Sequence, residues 1–269
     1  MKSLFLSSLL ALGLLAVPAQ AAEYPAKPIT LMTAFNAGGG SDVSHRLLEK
    51  FAKGVFDQPI VVTYKAGAGG EIGWTWLVGA KADGYTIGGV DLPHIVLQPM
   101  LRPEGQPGYK TEQLSPLCGL VYDADVVMVP EDGPYKTFKD LIEYAKANPG
   151  KVKVATVGKL TGDHLFLMQI EKLTGAKFTQ VPYSGSGKAI PALLSGEVDA
   201  YFGSGSSFLR MEKTRGLAIG SKERYELWPD VPTFIEQGYA IESGKYRGLA
   251  TPQNIPAEAR QYLETKFAE

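Results

Sequence analysis

One pattern recurs along this chain and constrains its fold more than any other feature. A short apolar, β-branched run ends in a turn rich in Gly, Ser or Thr, and a helical pattern begins directly after that turn. Four such units are visible, with strands at residues 29–35, 60–64, 152–157 and 178–182. Strands that alternate with helices form βαβ units with parallel pairing, which predicts an α/β fold.

Two segments indicate where the chain passes between two lobes. Residues 125–130 read as an apolar strand, and the helix that follows has Thr137 as its N-cap. Residues 228–233 contain two prolines that would stiffen a second crossing strand. Two crossings imply an inserted lobe, so we predict a two-lobed fold with mixed sheets flanked by helices and a ligand cleft between the lobes. The predicted division is lobe 1 at residues 22–125 and 229–269, and lobe 2 at residues 126–228.

The N-terminal segment predicts export to the periplasm. Lys2 precedes an apolar run at residues 4–17, and Ala19-Gln20-Ala21 supplies a small-x-small cleavage pattern. We expect a signal peptide at residues 1–21 and a mature start at Ala22. A membrane anchor is the less favoured alternative, because the apolar run is shorter than the ~20 residues that a span requires.

Charge and cysteine content exclude several classes of protein. Without the signal peptide, 26 basic residues face 28 acidic ones, which gives a net charge of −2. A nucleic-acid-binding protein needs a basic excess to contact phosphates. Cys118 is alone, so no disulfide framework is possible, and its apolar neighbours predict a core residue.

The four turns themselves are candidate binding elements. A helix N-terminus carries free N–H groups and the positive end of the helix dipole, and glycine lets the backbone approach an anion closely. The turns lie at residues 38–42, 67–70, 158–162 and 184–187, two on each side of the first crossing. A dicarboxylate, or a carboxylate with another polar end, would suit such a cleft. Because tight βα turns need glycine anyway, we favour a binding role at 38–42 and a structural role at 67–70; both remain open for the other two.

Motifs for catalysis or for a cofactor are absent from the sequence. It contains no Gly-x-Ser-x-Gly elbow, no P-loop and no Gly-x-Gly-x-x-Gly after the first strand. His45, His94 and His164 lack metal-like spacing, and nothing completes a calcium loop around Asp123 and Asp125. We therefore expect no enzyme activity, no metal and no cofactor, with a periplasmic hydrolase as the least favoured alternative. His45 is expected at the surface or as a helix cap.

Eight short motifs follow one another in order over nearly all of the mature chain. They are YPAKPI at 24–29, FNAGGGSD at 35–42, AGAGG at 66–70, ADGYT at 82–86, YKTFKDL at 135–141, VPYSGSG at 181–187, LLSGEVD at 193–199 and PDVPT at 229–233. Together they resemble the substrate-binding proteins of the tripartite tricarboxylate transporters, also called Bug receptors.

The resemblance implies a monomeric, hinged binding protein that closes on a small organic carboxylate and delivers it to the membrane permease of such a transporter. A ligand-binding component of a periplasmic sensor remains an alternative. The first carboxylate would be held by Phe35, Asn36, Ala37, Gly38, Gly39, Gly40, Ser41 and Asp42. The second pole would be formed by Gly158, Leu160, Thr161, Gly162, Asp163, His164, Tyr183, Ser184, Gly185 and Ser186.

The sequence departs from the family pattern at the second pole. Leu160 replaces a glycine, Asp163 a small residue and Ser184 a frequent lysine. Asp163 would repel a second carboxylate unless Lys159 or His164 offsets it, so we predict a neutral, amide-like or cationic distal end of the ligand. The chain also ends inside a predicted helix at residues 257–267, tens of residues before family members usually end. Lobe 1 is therefore expected to lack packing elements.

Overall fold

The computed structural model describes residues 23–103, 106, 108–208 and 212–269. The signal peptide predicted at residues 1–21 lies outside them. Within this part of the chain, helices flank a mixed sheet whose strand order is β2-β1-β3-β9-β4-β7-β5-β6, with β8 also paired to β4. The strands are β1 (Ile29–Thr33), β2 (Ile60–Tyr64), β3 (Thr86–Leu92), β4 (Leu114–Pro130), β5 (Lys153–Thr156), β6 (Thr179–Pro182), β7 (Ala200–Ser204), β8 (Thr214–Ile219) and β9 (Gly244–Pro252).

The helices follow the strands much as the recurring pattern predicts. They are α1 (Gly40–Phe51), α2 (Glu71–Val78), α3 (His94–Leu101), α4 (Phe138–Ala147), α5 (Gly162–Thr174), α6 (Ser186–Leu194), α7 (Gly205–Phe208) and α8 (Ala257–Ala268). No helix in the described ranges combines the length and apolar character needed to cross a membrane.

Strand β4 divides the sheet into two halves. Its residues 114–124 pair antiparallel with β9, whereas residues 125–130 pair antiparallel with β7 and β8. We call β1, β2, β3, β9 and residues 114–124 the first sheet half, and β5 to β8 with residues 125–130 the second sheet half. Parallel pairing joins β1 to β2 and β3, and β5 to β6 and β7, as expected for βαβ units.

Each sheet half has its own hydrophobic core. In the first, Ile29, Leu31 and Ile87 are fully buried among residues of β1, β3 and α8. In the second, Phe138 of α4 packs near Phe234 and Ile241. Residues 234–241 therefore pack with the second sheet half, although they follow the segment in which the sequence suggested a second crossing.

Several elements differ from the sequence-based expectation. Residues 228–232 lie in turns and irregular backbone, Thr233 forms an isolated β-bridge with Ile219, and the chain enters β9 only at Gly244. Helix α1 starts at Gly40 instead of Val43 and ends at Phe51, shortly before Gly54 with its φ of +90°. Strand β9 was not expected at all, because its polar N-terminal part lacks an apolar run.

Candidate functional site

Predicted turns from the two sheet halves meet in the structure. The side-chain amide of Asn36, after β1, donates a hydrogen bond to Ser184 Oγ at 2.5 Å. A Cβ atom added to Gly187 would lie 2.0 Å from the carbonyl oxygen of Ala37. The N-termini of α1 and α6 therefore approach each other closely enough that only glycine fits at position 187.

The turn before α1 is held by Asp42. Its Oδ2 accepts a hydrogen bond from the N–H of Gly38 at 2.7 Å, and its Oδ1 accepts one from the Tyr64 hydroxyl at 2.6 Å. Gly38 has a φ of +82°, which lets the chain turn sharply before the helix. The first N–H groups of α1 are left without helical partners and can face an anion.

The turn before α5 is fixed by Thr161 and Asp163. Thr161 is the N-cap, and its hydroxyl accepts a hydrogen bond from the N–H of His164 at 3.4 Å. The fully buried Asp163 accepts one from the N–H of Val157 at 3.0 Å. Across the cleft, a Cβ on Gly158 would lie 3.3 Å from the Cα of Gly69. The turn at 67–70, for which we favoured a purely structural role, thus packs against the predicted second pole.

A small cavity of about 20 Å³ lies between the two sheet halves. Of the predicted site residues, it is lined by Phe35, Gly39, Gly40, Ser41, Asp163 and Ser186. The other lining residues, which the sequence did not single out as ligand-binding, are Asp91, His94, Val157, Tyr201, Ser204, Lys245 and Arg247. This volume admits about one water molecule, so the structure is in a closed form.

The remaining predicted residues lie around the cavity and are absent from its lining. They are Asn36, Ala37, Gly38, Asp42, Gly158, Leu160, Thr161, Gly162, His164, Tyr183, Ser184 and Gly185. Several position the lining residues through the contacts described above. Tyr183 instead donates its hydroxyl to Glu197 at 2.7 Å in an exposed position.

Two buried cations of β9 dominate the electrostatics of the cavity. Lys245 forms ion pairs with Asp125 and, at 2.8 Å, with Asp163 Oδ1. Arg247 pairs with Asp123 and, at 3.0 Å through Nε, with Asp91 Oδ1. The cation that faces Asp163 is therefore Lys245, and not Lys159 or His164 as the sequence suggested.

Burial keeps the nearby imidazoles neutral. His45 is buried, contrary to the expected surface position, and its Nδ1 lies 2.7 Å from Thr33 Oγ1. Desolvation, assisted by the positive charge of Arg247, lowers the pKa of His45 to about 4. Desolvation likewise holds the pKa of His94 well below its usual value, with Lys245 and Arg247 adding to the effect. Both rings are uncharged at neutral pH.

The sequence does contain a signal for the buried charges of β4 and β9, which we did not predict as part of the site. Asp123 and Asp125 are two residues apart, and so are Lys245 and Arg247. Such spacing places both members of a pair on one face of a strand. In the antiparallel register Asp123 lies opposite Lys245, and each cation pairs diagonally with a carboxylate of β4. Matched i, i+2 pairs of opposite sign could thus have predicted that β4 and β9 are neighbours.

A larger cavity of about 680 Å³ lies elsewhere, on β3, β4 and β9. Its lining is mostly apolar, with Leu92, Leu117, Leu120 and Tyr246 among its residues. It offers few polar groups with which to recognise an anion. Among the described residues, no cluster of His, Cys, Asp or Glu is arranged to hold a metal ion.

The family model described as the tripartite tricarboxylate transporter family receptor matches residues 45–269. This chain belongs to that receptor family. The receptor is 35% identical to BugT of Bordetella pertussis over 234 residues, which cover 84% of this chain and 70% of BugT. The resemblance drawn from the eight motifs is thereby confirmed.

Solved structures of similar proteins agree with this assignment. The periplasmic binding protein BugD superposes with a TM-score of 0.84 at 30% identity, covering 90% of this receptor and 82% of BugD. MatC from Rhodopseudomonas palustris, solved with bound malate, gives a TM-score of 0.82 at 25% identity, covering 91% of this receptor and 84% of MatC. The predicted fold class, a periplasmic-binding-protein fold with mixed sheets flanked by helices, is confirmed.

Proposed function

We propose that this receptor captures a small organic carboxylate between its two sheet halves, in the periplasm, and passes it to the permease of a tripartite tricarboxylate transporter. The observation that carries the proposal is the convergence of the N-termini of α1 and α6 on one buried cavity, lined by Gly39, Gly40, Ser41 and Ser186. Helix N-termini favour anions. The related protein MatC was solved with the dicarboxylate malate.

The closed cavity supports a hinged mechanism. A space of about 20 Å³ is too small for any dicarboxylate, so the sheet halves must separate before a ligand enters. Among the described residues, β4, β9 and the segments beside them connect the two halves. We propose that the halves are two lobes, that the chain crosses between them at residues 124–125 and 243–244, and that residues 229–243 belong to lobe 2. This second crossing lies later than the sequence suggested.

We propose that the receptor acts as a monomer and releases its ligand chemically unchanged. Phe35 forms an apolar wall of the cavity, and its ring centroid lies 5.7 Å from that of the uncharged His94. Ser186 and Ser204 offer hydroxyls that can orient a carboxylate. Incubation of candidate ligands with the protein should therefore leave them chemically intact.

A thermal-shift screen of the mature protein tests the proposal. Monocarboxylates, dicarboxylates, amino acids, aromatic acids and amides form the panel. A ligand at about 100 times its Kd should stabilise the folded state by about 2.7 kcal/mol. A cooperative melt that no carboxylate of any kind shifts would contradict the proposal.

Two serine variants of helix α6 locate the site. Ser186→Ala removes a hydroxyl from the cavity, and Ser195→Ala removes an exposed one from the other end of the same helix. Losing one hydrogen bond to a charged ligand should weaken binding about tenfold, measured by titration calorimetry, whereas Ser195→Ala should bind normally. Equal affinities for both variants would place the ligand elsewhere.

A further inference from the structure

The buried charges between the sheet halves are not balanced. Within the described residues, ion pairs link four carboxylates and two cations into two neighbouring groups of three, one around Lys245 and one around Arg247, which we together call the buried charge cluster. Its members are Asp91, Asp123, Asp125, Asp163, Lys245 and Arg247. All six are at most 5% exposed, so water screens their charges poorly. With four negative and two positive side chains, the formal charge of the buried charge cluster is −2.

The two carboxylates of β4 already neutralise the two cations of β9. Asp125 contacts the Lys245 ammonium and also accepts a hydrogen bond from Ser243 Oγ at 2.7 Å. Asp123 contacts the Arg247 guanidinium and accepts a hydrogen bond from the N–H of Ser206 at 2.9 Å. Each of these carboxylates therefore has a cation and a further donor, and neither lines the cavity.

The other two carboxylates share these cations and also have one donor each: Asp91 accepts a hydrogen bond from Ser41 Oγ at 2.9 Å, and Asp163 accepts one from the N–H of Val157. Because they are the two that line the cavity, we assign the surplus negative charge to them. Asp91, from β3, and Asp163, from α5, approach it from different sheet halves. The neighbouring His94 supplies no positive charge, because burial keeps its pKa low. Burial raises the pKa of the Asp91 carboxyl, although Arg247 and the Ser41 hydroxyl oppose this shift, and burial raises the pKa of Asp125 as well. The uncompensated charge of the buried charge cluster thus lies where a ligand would bind.

Asp163 has unused hydrogen-bonding capacity. Its Oδ2 accepts from Val157, but Oδ1, which is buried and 2.8 Å from Lys245 Nζ, accepts no well-oriented hydrogen bond from any described residue. A buried carboxylate oxygen in this state is stabilised strongly by an additional donor.

We propose that the ligand carries an ammonium group together with its carboxylate, and that Asp163 and Asp91 receive the ammonium group while the N-termini of α1 and α6 receive the carboxylate. This inference rests on the proposed function and names the ligand class of the same site. A zwitterion of this kind brings a positive charge to the two surplus carboxylates. A dicarboxylate would instead bring two further negative charges into a poorly screened site that is already negative.

Matched pairs of ligands test the inference. Succinate and β-alanine have the same backbone length and differ in one terminal group, as do glutarate and 4-aminobutyrate. In titration calorimetry we expect the amino acid of each pair to bind at least tenfold more tightly than the dicarboxylate. Tighter binding of the dicarboxylate would overturn the inference and leave the proposed carboxylate receptor intact. Binding by neither pair would also overturn it, and the broader screen would decide separately on the proposed function.

Charge-removing variants assign the role to Asp163. Asp163→Asn keeps an oxygen that can accept from Val157 but removes the charge, so the preference for the amino acid should fall at least tenfold. If Asp163→Asn does not unfold cooperatively, Asp91→Asn tests the removal of a cavity charge in its place. Asp132→Asn, in the exposed turn after β4, is the control and should bind as the unchanged protein does. An undiminished preference in both site variants would contradict the assignment.

Discussion

His45 shows how burial changes the chemistry of a single residue. His45 lies in α1, shortly after the glycine-rich turn. This part of the helix faces inward: a Cβ on Gly89 of β3 would lie 2.0 Å from the imidazole ring. The ring is 1% exposed and has a hydroxyl partner in Thr33. Protonating the buried ring would place an imidazolium beside Arg247 without water to solvate it, so the neutral form is strongly preferred.

The lowered pKa of His45 makes folding sensitive to acid. The unfolded chain takes up a proton near pH 6.5, whereas the folded protein resists it until about pH 4. The unfolded state therefore binds more protons between these values, and stability falls as the pH falls through this window. We expect His45 alone to lower the free energy of unfolding by about 3 kcal/mol between pH 7 and pH 4.

Urea unfolding at several pH values measures this dependence. His45→Gln should have a flatter profile than the unchanged protein over the same range. His164→Gln, which replaces a half-buried imidazole, should change the profile much less. Parallel profiles for the unchanged protein and His45→Gln would show that His45 does not cause the acid sensitivity.

At the scale of elements, local signals predicted most strands and helices, and missed β9, α3 and α7. Thr137 was expected to cap a helix, and this prediction is confirmed: its hydroxyl accepts from the N–H of Asp140 at 3.1 Å, and Asp140 Oδ2 accepts from the N–H of Thr137 at 2.9 Å. Such a capping box is local and readable in the sequence. Strand β9 depends on partners in β3 and β4 that are distant along the chain, and the matched i, i+2 charges of β4 and β9 are the sequence signal for one of these pairings.

The cap of α4 yields a stability prediction. Thr137→Ala leaves the N–H of Asp140 without its acceptor and should lower the free energy of unfolding by about 1 kcal/mol. Thr137→Ser keeps the hydroxyl and should unfold at nearly the same urea concentration as the unchanged protein. If the alanine variant were as stable as the serine variant, the capping bond would contribute nothing measurable.

For the whole molecule, the closed form depends on close backbone contacts between the sheet halves. Gly187 of α6 lies against Ala37, and Gly69 lies against Gly158. At these contacts the two backbones meet where side chains would otherwise hold them apart. The small polar cavity is the space that remains beside them. Closure therefore buries the charge cluster and the helix N-termini together.

A single methyl group should prevent this closure. Gly187→Ala would place its Cβ 2.0 Å from the Ala37 carbonyl oxygen, although its helical backbone conformation tolerates alanine. We expect ligand affinity to fall at least tenfold in titration calorimetry. The matched control is Gly119→Ala in β4, where nothing lies within 4 Å of the added atom. Equal ligand affinity in the two variants would show that the contact is unimportant for binding.

The sequence by itself determined the α/β class, the order of the strand–turn–helix units, the capped helix and the family. These depend on periodicity, turn residues and motifs that are local along the chain. Only the tertiary structure decided which charges meet: Asp91, Asp123 and Asp125 lie far along the chain from Lys245 and Arg247, and pairing of β9 with β3 and β4 brings them together. Tertiary packing also decided that Asp163 faces Lys245 and that His45 is buried. Charge balance and desolvation depend on all neighbours in space, and a local pattern cannot report them.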